Sequence, residues 1–376
     1  MSHIFHVISG LNDGGAEAVL YRLCTNDNTE KHHVISLMDE GKYGPLLRKA
    51  GVSVSCLYMP RGRVTPGGLW RLWQLLRQAR PQVVQTWMYH ADLIGGVVAR
   101  LAGIRQVCWG IHHSTLDVEK SRRSTIRVAG LCARISSWVP SVIVCCAQEA
   151  LEVHRDLGYA ANKLQVIPNG YDLVRFNIDA VSRTQLRVEL DTENRWLIGM
   201  VGRFDPLKDH KNLLDALATI KYREVDFCCV LVGRGLDQNN TQLTAWLSEL
   251  DLTEKVKLLG QRVDIPDVMN ALDVHVLSSS SEAFPNVVAE AMACGTPAVV
   301  TDVGDAAVIV GETGWVVPPK DPEALADALL QAHIAMQDEV AWQARCAAAR
   351  QQVEAHFSLE RMVESYHLTW KNVVLE

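Results

Sequence analysis

Residues 273–304 read DVHVLSSSSEAFPNVVAEAMACGTPAVVTDVG. Val274 to Leu277 has the apolar character of a strand buried on both faces, and a polar loop of four serines and Glu282 follows. Pro285 suits the first position of a helix, where its missing N–H costs nothing, and Gly295 suits the residue just past the end. A second apolar strand, Ala298 to Val300, comes at once. Strand, loop, short helix and strand make one βαβ unit of an α/β fold. A helix N-terminus facing a polar loop offers unpaired N–H groups and the positive end of a dipole, which together suit a phosphate. Two carboxylates bracket that end, Glu282 in the loop and Glu290 inside the helix. Acids cannot hold a diphosphate, so they should meet neutral hydroxyls on either side of one. A nucleotide sugar has that order: ribose, diphosphate, hexose.

Glu282 and Glu290, set in EAFPNVVAEAMACGTP, resemble the paired-glutamate motif of the family-4 retaining glycosyltransferases. An ordinary βα loop with two solvated glutamates would explain the spacing alone. It does not explain the whole matched string, with Phe284-Pro285-Asn286 and Gly295-Thr296-Pro297. The resemblance implies the GT-B fold, two Rossmann-like doubly wound parallel-sheet domains facing a central cleft. It also implies that Glu282 hydrogen-bonds sugar hydroxyls while the N–H groups from Phe284 through Pro285 and Asn286 to Val287 face hexose and phosphate. Glu290 would hold the ribose hydroxyls. Retention through a front-face reaction is implied, with the leaving phosphate helping to deprotonate the acceptor. Double displacement through a carboxylate nucleophile is the competing chemistry.

Outward from this stretch, the 376 residues suit two domains, each able to bury its own core. Hydrophobic content of 48% with 21% charged residues is that of a globular chain, not a disordered one. No apolar run reaches the roughly 20 residues of a transmembrane helix. The start, MSHIFHVISG, lacks the basic flank and apolar core of a signal peptide. Ten cysteines are scattered without a C-x-x-C, which reads as reduced thiols in a cytoplasmic protein, with the inner face of the cytoplasmic membrane as a further location. Charge is unevenly divided. Residues 1–172 hold 19 Lys and Arg against 13 Asp and Glu, and the remainder holds 18 against 30. A basic first half points to an anionic partner, but no Lys-rich stripe with interleaved aromatics marks a nucleic-acid binder.

Alternating strands and helices continue along the whole chain. Ile4 to Ile8 is a strand, Ala16 to Leu23 a helix, and Gly14-Gly15 the turn between them. Strands over 34–37, 52–57, 83–86, 106–109 and 142–146 follow, with helices over 68–80 and 91–101. By resemblance Ile167-Pro168-Asn169-Gly170-Tyr171-Asp172 closes the first domain, 1–172, onto which the helical end, 357–376, returns. Residues 173–195 read as a polar linker. The scheme restarts at Trp196 and gives a nucleotide-sugar-binding domain over 196–356, with strands 196–201, 227–232 and 256–259 and a helix over 211–220.

Several residues in this frame can carry chemistry. Gly14 and Gly15 would let backbone approach a ligand at the end of a parallel strand, although a plain tight turn explains most such pairs. Arg203 and Lys208, in GRFDPLKDHK, match the family's G-R-x-x-x-x-K pattern. A planar guanidinium and a mobile ammonium can neutralise the phosphate charge that develops as the sugar–phosphate bond breaks. Two solvated surface cations are the alternative. No D-x-D occurs, so no catalytic metal and no cofactor are expected beyond the nucleotide-sugar donor, read as UDP-linked. His112 and His113 follow a first-domain strand, where the family places a sugar-facing His. Neighbours on an extended segment point opposite ways, so one of the two reaches the sugar; the resemblance favours His112 and His113 stays open. Gly233 and Arg262 would frame the base. His3, His6, His32, His33 and His90 show no metal-ligand spacing.

Two basic segments with tryptophan, 68–80 (Trp70, Trp73) and 120–138 (Lys120, Arg122, Arg123, Arg127, Arg134), read as interfacial helices that would give peripheral membrane contact. Solvated faces over an ordinary core are the alternative. The expected activity is therefore transfer of a hexose or N-acetylhexosamine to a saccharide or lipid-linked acceptor in cell-surface polysaccharide assembly. Its rivals are a GT-B epimerase or phosphorylase, and a non-catalytic nucleotide-sugar-binding protein.

Overall fold

Strands such as Cys228–Val232, with all five residues buried, need cover on both faces, and parallel sheets flanked by helices provide it. A computed structural model describes residues 3–113 and 123–375 of the chain. Ser114, Lys120 and Arg122 lie outside the described residues. The chain divides into two compact units, Met1–Gly170 with Leu359–Glu376, and Tyr171–Ser358.

In the first unit β1 (His3–Ile8), β2 (Lys31–Ser36), β3 (Ser53–Cys56), β4 (Val83–Trp87), β5 (Val107–Ile111), β6 (Val142–Cys145) and β7 (Leu164–Val166) form a seven-stranded parallel sheet. Its order is β3-β2-β1-β4-β5-β6-β7. In the second unit β8 (Leu197–Val201), β9 (Cys228–Val232), β10 (Val256–Gly260), β11 (Val274–Leu277), β12 (Ala298–Thr301) and β13 (Trp315–Val317) form a six-stranded parallel sheet. Its order is β10-β9-β8-β11-β12-β13. Both are doubly wound, and in each the winding reverses once, between β1 and β4 or between β8 and β11. Ligands of such sheets bind at the carboxyl ends of the strands beside the reversal.

The expected connecting segment, 173–195, is built into the second unit. Asp179 caps the helix Ala180–Glu189, accepting from the N–H groups of Val181 and Ser182. Arg187 of that helix reaches both oxygens of the buried Asp273 at 3.2 Å, and Asp273 also accepts from Leu197 N at 2.8 Å. Asp273 therefore ties the helix to the feet of β8 and β11, a role its place in sequence does not show. The end of the chain is two helices, Glu339–His356 and Leu359–Leu375, broken at Phe357-Ser358. Leu359, Met362, Tyr366, Trp370 and Val373 of the last helix are buried in the core of the first unit, at the spacing of one helical face.

Candidate active site

The loop after β8 and the loop after β11 lie on either side of the reversal in the second unit. The side chain of Ser278, just past β11, donates to the carbonyls of Lys208 (3.0 Å) and Asp209 (3.1 Å), and Ser280 N donates to Leu207 O at 2.8 Å. This stitching brings Lys208 Nζ to 2.6 Å from Glu282 Oε1, which also accepts from Ser279 Oγ at 2.6 Å. Both partners of the ion pair are largely shielded, with side chains 18% and 15% exposed. Gly304, at φ 55°, closes over the same loop. A Cβ there would sit 2.3 Å from Ala283 O, so only glycine allows the approach.

Glu282 stands before the helix Asn286–Ala293, and Glu290, half-buried, stands one turn inside it. Pro285 is the cap residue rather than the first helical residue, with φ −75° and ψ 89°. It supplies no side-chain cap, so the first turn keeps N–H groups without partners inside the helix. Gly295 ends the helix as expected, at φ 76°. The Phe284 ring is buried, stacked on Tyr171 and edge-on to Phe357, so its contribution to a ligand is confined to backbone. Asn286 Oδ1 accepts from Tyr171 O–H at 2.6 Å, and Val287 is half-buried beside it.

Arg203 is the more solvated of the two cations, 57% exposed, with Nε donating to Asp205 Oδ2 at 2.9 Å. Gly233 is required by the fold, because a Cβ there would sit 1.8 Å from Gly202 O. Arg262, expected to frame the base, is held by ion pairs. Its guanidinium is spent on both oxygens of Asp264 and, at 3.0 Å, on Glu189 Oε1, so it fastens helix Ala180–Glu189 to the loop after β10.

Behind Lys208 lie two histidines that sequence reasoning missed, His210 and His275. Neither has a hydrogen-bond partner on either ring nitrogen. Burial, and then the Lys208 charge, lowers His210 to about 4 and His275 to about 3. The one available signal was their position, at the start of the helix after β8 and in β11.

In the first unit Gly14 caps the helix Gly15–Asn26 in an extended conformation, and neither glycine needs a positive φ. The space beside Gly15 is open, whereas a Cβ at Gly14 would meet Glu17. His112 follows β5 and lies flat on Trp87, with centroids 5.1 Å apart and planes at 20°. Both its ring nitrogens are shielded and have no hydrogen-bond partner. Burial, then the charge of Arg22, lowers it to about 4, so the imidazole is neutral at ordinary pH. His113 turns the other way, edge-on to Tyr89.

His6 and His32, left unassigned in sequence, meet inside the first unit, and their nitrogens lie within 4.8 Å of one another and of Cys24 Sγ. A metal could bridge donors at that spacing, but hydrogen bonds already use the nitrogens: His6 Nε2 lies 2.9 Å from His32 Nδ1, and His6 Nδ1 accepts from Trp87 Nε1 at 3.2 Å.

Comparison with known proteins matches the second unit over residues 182–343 to the model of "Glycosyl transferases group 1". Residues 13–175 match that of "Glycosyltransferase Family 4". The UDP-Gal:alpha-D-GlcNAc-diphosphoundecaprenol alpha-1,3-galactosyltransferase of Escherichia coli is 28% identical over 267 residues, covering 69% of this chain and 68% of that one. The Anabaena Alr3699/HepE structure in complex with UDP superposes with a TM-score of 0.84 at 24% identity, over 99% of this chain and 100% of that one. The same protein with UDP-glucose gives a TM-score of 0.84 at 22% identity and the same coverage. At these identities the structural likeness shows the fold.

Proposed function

Because the chain belongs to the family-4 glycosyltransferases of GT-B fold, we propose that it moves a hexose or N-acetylhexosamine, with retention and without a metal, from a UDP-linked donor to a saccharide or lipid-linked acceptor. The Lys208–Glu282 ion pair beside the helix Asn286–Ala293 carries this reading. An ammonium and a carboxylate held together at a helix N-terminus can part company over a nucleotide sugar. Lys208, with Arg203, then meets the diphosphate, and Glu282 meets the hexose hydroxyls. Charge accumulating on the leaving phosphate is stabilised by cations already in place, at little reorganisation cost. Glu290, a turn into the helix, takes the ribose hydroxyls. The neutral imidazole of His112 is suited to a hydrogen bond with a sugar hydroxyl.

The donor and acceptor of the E. coli relative's name, UDP-galactose and a diphosphoundecaprenol-linked sugar, support the same classes here. A cavity of about 310 Å3 in the first unit supports an amphipathic acceptor. Leu37, Met38, Met59 and Ile94 line it, and Arg61, Arg63 and His90 supply its polar edge. Among the described residues no helix is long and apolar enough to cross a membrane. Attachment at the cytoplasmic face would rest on exposed Trp70 and Trp138, 57% and 75% accessible, and on the basic helix Arg123–Ile135.

Turnover of a panel of nucleotide sugars with an undecaprenyl-diphosphate sugar, with the product anomer read by NMR, tests the reading. Transfer from a UDP-sugar with an α-linked product from an α-donor is expected. An inverted anomer removes the retaining mechanism, and hydrolysis or epimerisation alone removes the transferase.

A further inference from the structure

A run of directed hydrogen bonds crosses the first unit beneath His112. Trp87, on which His112 lies, ends β4 and is fully buried. Its indole nitrogen can only donate, so His6 Nδ1 must be the bare acceptor at 3.2 Å. The His6 proton is therefore on Nε2, pointed at His32 Nδ1 2.9 Å away. That in turn puts the His32 proton on Nε2, donating to Asp27 Oδ2 at 3.1 Å. His367, on the last helix, also donates to Asp27 Oδ2. Asp27 Oδ1 accepts from Thr29 N and Thr29 Oγ1, each at 2.8 Å, and from Glu30 N at 3.3 Å. Burial alone would raise the Asp27 carboxyl, but the hydrogen bonds from His32, His367 and Thr29 outweigh it and hold the group well below the usual carboxylate range. One ionised carboxylate thus sets the tautomers of two histidines and the orientation of an indole.

We propose that Asp27, His32 and His6 are positioning residues, a one-directional relay that fixes the Trp87 ring and through it the stacked His112 imidazole for sugar transfer. The inference rests on His112 being the sugar-facing group. Stacked rings slide over one another at little cost, whereas a hydrogen bond to the indole N–H is directional. The backbone beside Trp87 is also strained: Met88 has φ 72° and ψ 154°, a costly conformation for a residue with a Cβ, and its N–H is held by Gly110 O at 2.7 Å. The relay supplies the side-chain half of that constraint. A metal on His6 Nε2 would move the proton to Nδ1, against the indole N–H, and break the same bond.

The test is a double-mutant cycle in the full chain between Asp27→Asn and His112→Ala, with kcat and donor KM measured for each protein. Whichever way the new amide turns, the charge is lost and its NH2 faces N–H donors, of Thr29 and Glu30 or of His32 and His367, so the relay's anchor is weakened. In the wild-type background kcat should fall on the order of tenfold, as expected when a reacting group is slightly misplaced, with donor KM within about twofold. In the His112→Ala background Asp27→Asn should cost nothing further. Equal losses in both backgrounds, or no loss in the first, overturn the proposal. Should Asp27→Asn fail to fold, Trp87→Phe, which keeps the aromatic face and removes the N–H, carries the same cycle. His112→Ala turning over like wild type would remove the premise about His112. The relay itself is then decided by nitrogen-15 NMR of labelled histidine: His6 and His32 should both be protonated on Nε2, and a proton on His6 Nδ1 overturns it.

Discussion

Lys208 Nζ lies 2.6 Å from Glu282 Oε1, joining the loop after β8 to the loop after β11 across the reversal of the second sheet. The pair is shielded enough that a ligand entering between these loops exchanges one set of charge-assisted bonds for another, not for water.

Lys208→Ala should therefore lower kcat by about a hundred- to a thousandfold, roughly 3 kcal/mol of transition-state stabilisation. Steady-state transfer assays measure it, with thermal unfolding run alongside because Glu282 loses its ammonium partner. A variant within about threefold of wild type takes Lys208 out of the site.

Chelation should leave transfer intact, because Arg203 and Lys208 supply the positive charge. Loss of activity in EDTA, restored by a divalent ion, would show that this pair is not the electrophile.

Stability should fall as the pH is lowered from about 6.5 towards about 4. His112, His154 and His210 are lowered to about 4 and His275 to about 3, with burial the largest cause in each, and burial holds His6 well below 6.5. A lowered histidine stays neutral in the folded state while the unfolded state takes up its proton, so acid favours unfolding through that window. Asp92 acts the other way, because burial raises it to about 7 and the folded state binds that proton first. Glu17, also raised by burial, acts with Asp92, but the more numerous lowered histidines stay in control. Denaturant titrations between pH 4 and 7 measure the slope, and a flat or falling curve with rising pH refutes it.

Anionic vesicles should bind the chain at low salt and release it as salt rises, since each Lys or Arg near such a surface contributes about 1 kcal/mol. Arg123 and Arg127 are both exposed on the helix Arg123–Ile135. Replacing them with Gln should weaken co-sedimentation without changing nucleotide binding. Trp70 should report insertion, whereas Trp73, stacked on it at 4.9 Å and donating to Leu101 O, should not. No co-sedimentation of wild type at low salt ends the membrane reading.

The two doubly wound sheets were legible because their signals are local: apolar runs of four to six residues, glycine and proline between them, and helical spacing in the crossovers. Residues 273–304 contain their own strand, cap and turn chemistry, so sequence alone gives their elements with Pro285 displaced by one position. What could not be read depends on partners distant in sequence. Arg262 finds Glu189, 73 positions away in sequence, and segment 173–195 is structured because Arg187 finds Asp273. His6 and His32 look unrelated until β1 pairs with β2 and sets them diagonally on one face of the sheet. The Lys208–Glu282 contact likewise depends on a serine hydroxyl reaching two carbonyls, which no spacing reveals.

The last helix has a consequence for how the chain comes into being. The second unit is continuous from Tyr171 to Ser358 and can fold as soon as it emerges. The first unit takes Tyr366 and Trp370 into its interior, the latter donating to Gln85 Oε1 at 3.2 Å. The portion synthesised first must therefore wait, with an open seam, until everything between has been made. During translation the earlier half is finished last, and until then it exposes the apolar face that a chaperone would recognise.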